Sequence, residues 1–371
     1  MQKREEEPPS GRPGPVVIAY NRDYLPGGSA ADAIGCEAGE ESADVARLFG
    51  EHLAAAGHDV VMMSVDDDPE ALVEDIVQAG AGRVVNLVES LGGDGSREHE
   101  VPALLEVAGV PYTGNGPRAL LAAQAKHVAR TLLERRGVPV APGLVVDGPE
   151  EARRAAATLP FPLFVKPACA DGSVGVDQGS LVRDRAALEE RLAWLAERIP
   201  GPYLVEAYLP GREINVAICP NPLTGFFAIT EIDFTGYPTD YAPIVTYDCK
   251  WTPDCPESTA FSKPATAETL GAELHRAVVQ VARRAFEAIR GTSYGRVDMR
   301  LDAAGRPCVI DINPNPDVHP EAGFCLAAKS RGVAWERLAE MLLDDASLKE
   351  RRAGRPGRLV AGREDLLWVQ V

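Results

Sequence analysis

Two short polar patterns in the second half of the chain carry the side chains best suited to binding a metal ion. Arg296 and Asp298 alternate with apolar residues, as in a half-buried strand, and Asp311 and Asn313 do so after a turn that contains Gly305. Pairing the strands around that turn places Asp298 opposite Asp311 and Arg296 opposite Asn313. Opposed carboxylates repel one another, so the hairpin predicts a cation between them, and an oxygen-only ligand set favours Mg²⁺.

The same register predicts the apolar pairs of the hairpin, in which Met299 faces Ile310 and Val297 faces Ile312. The spacing leaves an alternative open, a solvated strand face on which Arg300 or Arg296 neutralises the carboxylates. A shift of one residue in the turn would also separate the two aspartates. The hairpin by itself therefore does not distinguish a metal site from an ordinary surface.

Three lysines and a glycine-rich loop could supply the positive charge and the backbone donors that a polyphosphate requires. The loop at 171–176 follows a strand that ends at Lys166, and such a loop can point N–H groups at phosphate oxygens. Lys126 is expected within a helix, and Lys250 is expected within a long loop. Each lysine taken singly also fits a surface position. No G-x-x-x-x-G-K-[ST] motif is present, which excludes a Walker-type phosphate cradle.

The elements that must position these residues begin with strands alternating with helices, a pattern that predicts a parallel α/β sheet. The strands of this first unit are expected at 16–20, 60–63 and 83–87, and its helices at 42–56, 70–80 and 96–108. The remainder indicates two α+β units, with helices expected at 119–136, 186–199, 266–290 and 333–344. Their strands are expected at 162–166, 203–209, 213–219 and 226–233 and in the 296–313 hairpin, with a long loop at 235–265.

These elements divide the chain into three predicted domains between two tails. The expected segments are a disordered tail at 1–14, an N-terminal domain at 15–117, a central domain at 118–202, a C-terminal domain at 203–345 and a tail at 346–371. The strand near 203–209 is thereby assigned to the third unit.

Charge and cysteine content restrict the class of protein. The 371 residues carry a formal charge of −17, which argues against nucleic acid or an anionic membrane surface as the main partner. The N-terminus lacks the apolar run of a signal peptide, and no window reaches the roughly 18 apolar residues that span a bilayer. The 7 cysteines show no C-x-x-C spacing, so neither a disulfide framework nor a zinc site is expected. We expect a cytoplasmic protein that acts on small molecules.

Taken in order along the chain, these motifs resemble those of ATP-grasp ligases, and most closely those of the D-alanine–D-alanine ligase group. The similarity runs from about residue 84 to about residue 343 and includes the lysines at 126 and 250. Its markers are Gly-Asp-Gly at 93–95, Val-Pro-Tyr-Thr-Gly at 110–114, Val-Lys-Pro at 165–167, Gly-Ser-Val-Gly at 172–175, Leu-Val-Glu-Ala-Tyr-Leu-x-Gly-x-Glu at 204–213, Gly-Arg-x-Asp at 295–298 and Asp-x-Asn-x-x-Pro at 311–316.

The resemblance implies an ATP-grasp fold, in which a parallel α/β N-terminal domain precedes two α+β units that clasp ATP. The residues that it implies for ATP binding are Lys126, Lys166, Ser173, Glu206, Ala207, Tyr208, Leu209, Glu213, Lys250 and Ile310. It implies that Asp298, Asp311 and Asn313 hold two Mg²⁺ ions, which Mn²⁺ could replace. The residues that it implies for catalysis are Arg296, Lys250 and Ser173. A homodimer is also compatible with this family.

The implied reaction has two steps. A carboxylate attacks the γ-phosphate of ATP to give an acyl phosphate and ADP, and an amine then displaces phosphate to form an amide. The chemistry requires positive charge around the transferred phosphoryl group and exclusion of water, because an acyl phosphate hydrolyses readily.

Several substrate positions differ from those of a D-alanine–D-alanine ligase. Gly172 stands in place of a serine, Trp251 in place of a tyrosine and Val88 in place of a histidine. Asp317 replaces a glycine whose backbone helps to hold the carboxylate of the second substrate, and an acidic side chain would repel that carboxylate. We therefore expect an acceptor other than D-alanine, with an amine, a cationic group or no carboxylate near Asp317.

Three functions stay open at this point. The leading hypothesis is a ligase that joins two amino acids, or an amino acid and an amine, in the biosynthesis of a small peptide. The second is peptidoglycan D-alanine–D-alanine ligase itself, against which Asp317 and Gly172 argue. The third is a nucleotide-binding protein without catalysis, against which the intact Lys250 and Arg296 argue. Glu40 or Glu41 could bind the ammonium group of the donor, and an exposed glutamate fits the position equally well.

Overall fold

The computed structural model describes residues 14–22, 30–220, 225–252, 254–352, 358–361 and 366–369, and side chains within 14–22, 42–220, 225–252 and 254–346. The tail expected at 1–14 lies outside these residues except for Gly14. Among the helices in these ranges, none combines the length and the apolar character that crossing a bilayer requires.

The first unit is a parallel three-stranded sheet in the order β2-β1-β3. Its strands are β1 (Val16–Asn21), β2 (Val60–Val65) and β3 (Arg83–Leu87), and its helices are α1 (Ala30–Ala55), α2 (Pro69–Gln78) and α3 (Glu100–Ala108). The three predicted strands and their parallel pairing are confirmed. The prediction was possible because apolar runs such as that of β1 are typical of strands covered by helices on both faces. The first helix is longer than predicted and begins at Ala30 rather than near residue 42.

The second unit is an antiparallel sheet in the order β4-β7-β5-β6. Its elements are α4 (Pro117–Gln124), α5 (Lys126–Arg135), β4 (Gly143–Val146), α6 (Ala152–Thr158), β5 (Leu163–Pro167), β6 (Leu181–Val182), α7 (Arg185–Ala196) and β7 (Tyr203–Ala207). The assignment of β7 to the third unit is wrong, because β7 pairs with β4 and β5. We propose that the second domain extends through Ala207, since a boundary after residue 202 divides this sheet. Strand β4 and helix α6 were not predicted.

The single helix predicted at 119–136 is also wrong. Ala125 separates α4 from α5 with an extended backbone at φ −91° and ψ 102°, and the Lys126 N–H donates to the carbonyl of Ala168 at 2.8 Å. Alanine and leucine favour helix along the whole stretch, so local propensity does not reveal the break. A tertiary hydrogen bond thereby makes Lys126 the first residue of α5 instead of an interior helical residue.

The third unit is an antiparallel five-stranded sheet in the order β10-β9-β8-β11-β12. Its elements are β8 (Glu213–Cys219), β9 (Phe226–Asp233), α8 (Tyr247–Trp251), β10 (Phe261–Pro264), α9 (Ala267–Leu270), α10 (Ala272–Ala288), β11 (Gly295–Leu301), β12 (Pro307–Asn313), α11 (Gly323–Ser330) and α12 (Trp335–Arg352). A small hairpin of β13 (Arg358–Ala361) and β14 (Leu366–Val369) follows.

Three predictions for this unit need correction. The stretch at 235–265 is not a continuous loop, because it contains α8 and β10. The helix predicted at 266–290 is two helices separated by Gly271, whose φ of +86° is accessible to glycine and rare for other residues. The final helix begins at Trp335 and continues to Arg352, beyond the expected end at 344, and α11 was not predicted.

One apolar core joins the first unit to the third. Ile18 and Phe49 of the first unit pack in the same cluster as Phe324 of α11 and Leu338 of α12. The rings of Phe49 and Trp335 lie edge to face with centroids 5.2 Å apart. Because protein cores are close-packed, this cluster holds the first sheet in a defined position relative to the 296–313 hairpin.

Asn115 provides a polar connection between the same two units. Its amide nitrogen donates to the carbonyls of Tyr294 and Pro314 at 2.6 and 2.7 Å, and its amide oxygen accepts from the backbone N–H groups of Thr292 and Ser293 at 2.7 and 3.0 Å. The side chain is buried, so these bonds replace water at four backbone groups. Asn115 thereby connects the segment that leaves the first unit with the residues before β11 and after β12.

We predict that Asn115→Ala lowers the free energy of unfolding by at least about 3 kcal/mol, because it leaves four buried backbone groups without partners. Urea denaturation followed by circular dichroism measures the change. Thr131→Ala is the control, since it removes a single exposed hydrogen bond to the carbonyl of His127 and should change stability by no more than about 0.5 kcal/mol. Equal stability of the two variants would contradict the proposed connection.

Candidate active site

A cleft of about 1160 Å³ lies where the three units meet. Its walls include the carboxyl ends of β1 and β3, the glycine-rich loop at 171–176, helix α8 and the inner faces of β8, β11 and β12. The carboxyl ends of parallel strands are a common position for ligand sites in α/β proteins. The predicted site residues that line this cleft are Lys126, Lys166, Ser173, Glu206, Ala207, Tyr208, Leu209, Glu213, Lys250, Trp251, Arg296, Asp298, Ile310, Asp311, Asn313 and Asp317.

The hairpin register is confirmed at its polar end. Asp298 faces Asp311, and Arg296 faces Asn313. Of the two predicted apolar pairs, that of Val297 and Ile312 is confirmed, but the other is wrong because Met299 faces Val309 instead of Ile310. A β-bulge between the Asp298 and Met299 pairs causes the difference.

The bulge gives the main chain of Ile310 a new partner. With Ile310 outside the regular pairing, its carbonyl accepts a hydrogen bond from Lys166 Nζ at 2.9 Å. Bulges commonly redirect groups next to functional sites. The sequence contains no glycine or proline at this position that could have indicated the bulge.

Arg296 forms a bidentate ion pair with Asp298 two residues along the same strand. Its Nε and Nη2 atoms donate to the two carboxylate oxygens at 2.7 and 2.8 Å. Burial opposes the charge of the guanidinium, but Asp298 and Asp311 outweigh that effect and raise the pKa of Arg296. Arg296 therefore stays charged at the centre of the cleft.

Lys126 reaches the other carboxylate of the hairpin. Its Nζ donates to Asp171 Oδ1 at 2.7 Å and to the Ala170 carbonyl at 2.8 Å, and lies 3.8 Å from Asp311 Oδ2. Burial opposes its charge, yet the two aspartates raise the pKa of Lys126. Burial likewise works against the charge of Asp311, but Lys126 and Lys166 lead the cations that lower its pKa.

Lys166 is the second lysine of this set and belongs to a buried charge network. Its Nζ lies 3.3 Å from Glu206 Oε2, while Arg130 Nη1 donates to Glu206 Oε1 at 2.8 Å. The partner that a lysine at the end of an apolar strand requires is thus a glutamate of the neighbouring strand, β7. The two cations hold the Glu206 side chain at the wall of the cleft.

Arg300, which the sequence suggested only as a counter-ion, lies in the wall of the cleft. It donates to Glu213 Oε2 at 2.8 Å and to the Leu209 carbonyl at 2.9 Å, and its guanidinium lies over the Tyr208 ring, 5.2 Å from the centroid. Burial raises the pKa of Glu213 even though Arg300 opposes that shift. The alternation of β11 already placed Arg300 on the same face as Arg296, and that signal could have identified it.

Hydrogen bonds hold the glycine-rich loop against the third unit, one of them from the Tyr247 N–H to the Val176 carbonyl at 2.8 Å. Ser173 Oγ donates to the Val245 carbonyl at 3.2 Å, and Trp251 Nε1 donates to the Gly172 carbonyl at 2.9 Å. Gly172, Ser173 and Gly175 all have φ between 62° and 71°. Such a conformation costs little for glycine but is strained for serine, which is typical of loops at functional sites.

Lys250 lies on α8 beside this loop. Thr246 caps the short helix by accepting from the Cys249 N–H at 3.1 Å. This cap fixes the first residue of the helix and therefore the position of Lys250 in its last turn. The Lys250 side chain is exposed at the surface of the cleft. Loss of hydration to the protein groups around it, followed by repulsion from Arg296, lowers the pKa of Lys250.

The part of the cleft beside the loop after β12 carries Asp317 and two acidic residues, Glu89 and Glu98, that sequence reasoning missed. Asp317 Oδ1 accepts from the His319 N–H at 2.7 Å. Glu98 accepts from Asn315 Nδ2 at 2.7 Å, and burial followed by the nearby Glu89 raises the pKa of Glu98 well above its ordinary value. Their position on loops after β3 was the available signal, because carboxyl ends of parallel strands meet at one edge. The side chain of Glu41 lies outside the described residues.

The donors in the hairpin fit a magnesium ion. Asp298, Asp311 and Asn313 present hard oxygens, and within the described residues no cluster of three or more His, Cys, Asp or Glu side chains forms a complete metal site. An incomplete oxygen set is typical of Mg²⁺ that is shared with substrate phosphates. In addition, the enclosed amide oxygen of Asn215, opposite Asp298 on β8, accepts no hydrogen bond from the described residues. An open acceptor beside two carboxylates also suits a cation.

Comparisons with known proteins agree with this architecture. Residues 132–344 match the family model described as D-ala D-ala ligase C-terminus. A protein of Sinorhizobium fredii named uncharacterized protein y4sG is 31% identical over 79% of this chain and 84% of its own length. The D-alanine–D-alanine ligase of Geobacter sulfurreducens is 30% identical over 81% of this chain and 88% of its own length.

Solved structures show the same fold. The D-alanine–D-alanine ligase of Bacillus anthracis, determined as a complex with ATP, matches with a TM-score of 0.67 at 18% identity over 92% of this chain and 100% of that one. The VanG D-Ala:D-Ser ligase of Enterococcus faecalis matches with a TM-score of 0.66 at 17% identity over 90% of this chain and 100% of that one. The chain therefore belongs to the D-alanine–D-alanine ligase family, ATP-dependent ligases of the ATP-grasp fold that form an amide bond and release ADP.

Proposed function

We propose that this protein uses Mg²⁺ and ATP to join the carboxylate of one amino acid to an amine other than D-alanine, through an acyl phosphate. The observation that carries the proposal is the convergence of Lys126, Lys166, Lys250 and Arg296 around the opposed pair of Asp298 and Asp311 in one cleft. A nucleotide-binding protein without catalysis would have no need of Arg296 beside the metal ligands.

The chain's own residues would divide the work of the first step. Mg²⁺, held by Asp298, Asp311 and Asn313, would neutralise charge on the phosphates. Lys126 and Lys166 would hold the phosphate chain, and Lys250 would contact the phosphoryl group during its transfer. The donor carboxylate oxygen bonds to the γ-phosphorus as the bond to the bridging oxygen breaks, and ADP leaves with that electron pair.

The second step would rely on Arg296 and on the glycine-rich loop. When the neutral amine attacks the acyl carbon, the carbonyl oxygen gains negative charge, and a fixed guanidinium is suited to stabilise it. The amide forms as phosphate leaves and the nitrogen loses a proton. The hydrogen bonds from Ser173 and Trp251 would keep the loop closed over the acyl phosphate and exclude water.

The part of the cleft beside the loop after β12 supports an acceptor that carries positive charge. Asp317 and Glu89 line this part, while the exposed side chains of Phe261 and Leu326 add apolar surface. A substrate carboxylate would be repelled here, whereas an ammonium or guanidinium group would be attracted. The preferred acceptor is thus an amine with a second cationic group and an apolar portion.

A second candidate is D-alanine–D-alanine ligase activity. The relative from Geobacter sulfurreducens and the structural neighbour from Bacillus anthracis are both D-alanine–D-alanine ligases, which favours it. It differs from the first proposal in a single substrate, so the same assay separates them.

The assay combines the purified protein with ATP, Mg²⁺ and a panel of amino acids and amines. Mass spectrometry identifies the product, and chromatography distinguishes ADP from AMP. We expect ADP to form when a donor and a basic acceptor are both present. Formation of AMP would reject the acyl phosphate, and a lack of turnover with every amine would favour a binding protein.

We predict that Lys250→Ala lowers kcat by at least about 100-fold, because a charge that contacts the transferred phosphoryl group acts mainly in the transition state. Binding of ATP, measured by calorimetry, should weaken far less. Lys263→Ala is the matched control, since Lys263 lies on β10 and pairs with Asp233 at 2.8 Å outside the cleft. Unchanged turnover in Lys250→Ala would mean that Lys250 does not contact the phosphoryl group.

We predict that the wild-type protein uses D-alanine poorly as an acceptor and that Asp317→Gly improves this use by at least about tenfold. The substitution removes the repulsion between the Asp317 carboxylate and the carboxylate of D-alanine, and a repulsion of at least about 1.4 kcal/mol corresponds to that factor. The measurement is kcat/KM for D-alanine. Asp317→Asn is the control for shape, because its amide oxygen can still accept from the His319 N–H, and it should also improve use of D-alanine. Rapid D-alanyl-D-alanine formation by the wild-type protein would contradict the prediction.

A further inference from the structure

Asn215 occupies the same row of the third sheet as the two opposed aspartates. On β8 it faces Asp298 of β11, and Asp298 in turn faces Asp311 of β12. Residues directly opposite in an antiparallel sheet point to the same face. All three side chains therefore belong to one face, and all three line the cleft.

The amide oxygen of Asn215 lacks the partner that an enclosed acceptor normally has. It is shielded from solvent, and none of the groups in the described part of the chain donates a hydrogen bond to it. Buried polar atoms without partners are uncommon in native proteins and require a reason. The neighbouring Asp298 and Asp311 cannot satisfy it as carboxylates, since they too are acceptors.

The two cations that approach the aspartate pair are engaged elsewhere. Arg296 donates to both oxygens of Asp298, and Lys126 donates to the loop at 170–171. An oxygen that accepts from neither of them, beside two carboxylates, has the chemistry of a ligand for a hard cation.

We infer that the amide oxygen of Asn215 binds the magnesium ion that Asp298 and Asp311 hold, as a further ligand contributed by β8. The inference rests on the proposed magnesium site but not on the identity of the substrates. An acceptor oxygen at this point adds a neutral donor, so it increases affinity for the cation without adding repulsion to the aspartate pair. It also extends the site from two strands to three.

The test is a titration with Mn²⁺ alone, followed by electron paramagnetic resonance, on full-length variants. We expect Asn215→Ala to bind Mn²⁺ about tenfold or more weakly, as for other groups that support a metal site. Binding of ADP in the presence of EDTA should stay unchanged. The urea midpoint of the metal-free protein should stay equal or rise, because the variant removes an unsatisfied acceptor. Asn215→Asp, which keeps oxygen donors, should retain Mn²⁺ affinity.

Thr230→Ala is the matched control, because Thr230 faces Asn215 from β9 and is buried without lining the cleft. It should lower the urea midpoint and leave Mn²⁺ affinity unchanged. Wild-type affinity of Asn215→Ala for Mn²⁺ would overturn the inference, and weaker ADP binding in EDTA would assign the oxygen to the nucleotide instead. Failure of the proposed function would look different, as the wild-type protein would bind Mn²⁺ but form no product.

Discussion

The repulsion between Asp298 and Asp311 is the constraint on which the site depends. The hairpin places the two carboxylates directly opposite each other, partly removed from water, where like charges destabilise a sheet. Arg296 balances one of them with two hydrogen bonds, and Lys126 approaches the other. Without these cations, burial would raise the pKa of Asp311 instead of leaving it lowered.

Each compensating cation comes from a different part of the chain, and the fold is arranged to bring them together. The break at Ala125 starts α5 at Lys126, and the bulge at Ile310 supplies a carbonyl for Lys166. The packing of α11 and α12 between the first and third units, together with Asn115, fixes the remaining wall of the cleft. Local irregularities in helix and strand thus serve the positions of charges.

The charge balance differs between the two ends of the cleft. Cations dominate around the hairpin, whereas Asp317 and Glu89 line the part of the cleft beside the loop after β12. The chain carries a net charge of −17, yet a local cluster of cations that is partly shielded from water can make one region of the cleft positive. For the proposed reaction, this separation would place the nucleotide and a basic acceptor in regions of opposite charge.

Local signals in the sequence were sufficient for three predictions. Apolar runs predicted the strands of the first unit, alternation of polar and apolar residues predicted the opposition of Asp298 and Asp311, and ordered motifs predicted the family. Tertiary structure decided the break at Ala125, the bulge at Ile310 and the pairing of β7 with the second sheet. Those features depend on hydrogen bonds and packing between distant segments, which helix and strand propensities do not encode. The unpaired amide oxygen of Asn215 is likewise a feature of tertiary structure, because it depends on the pairing of β8 with β11.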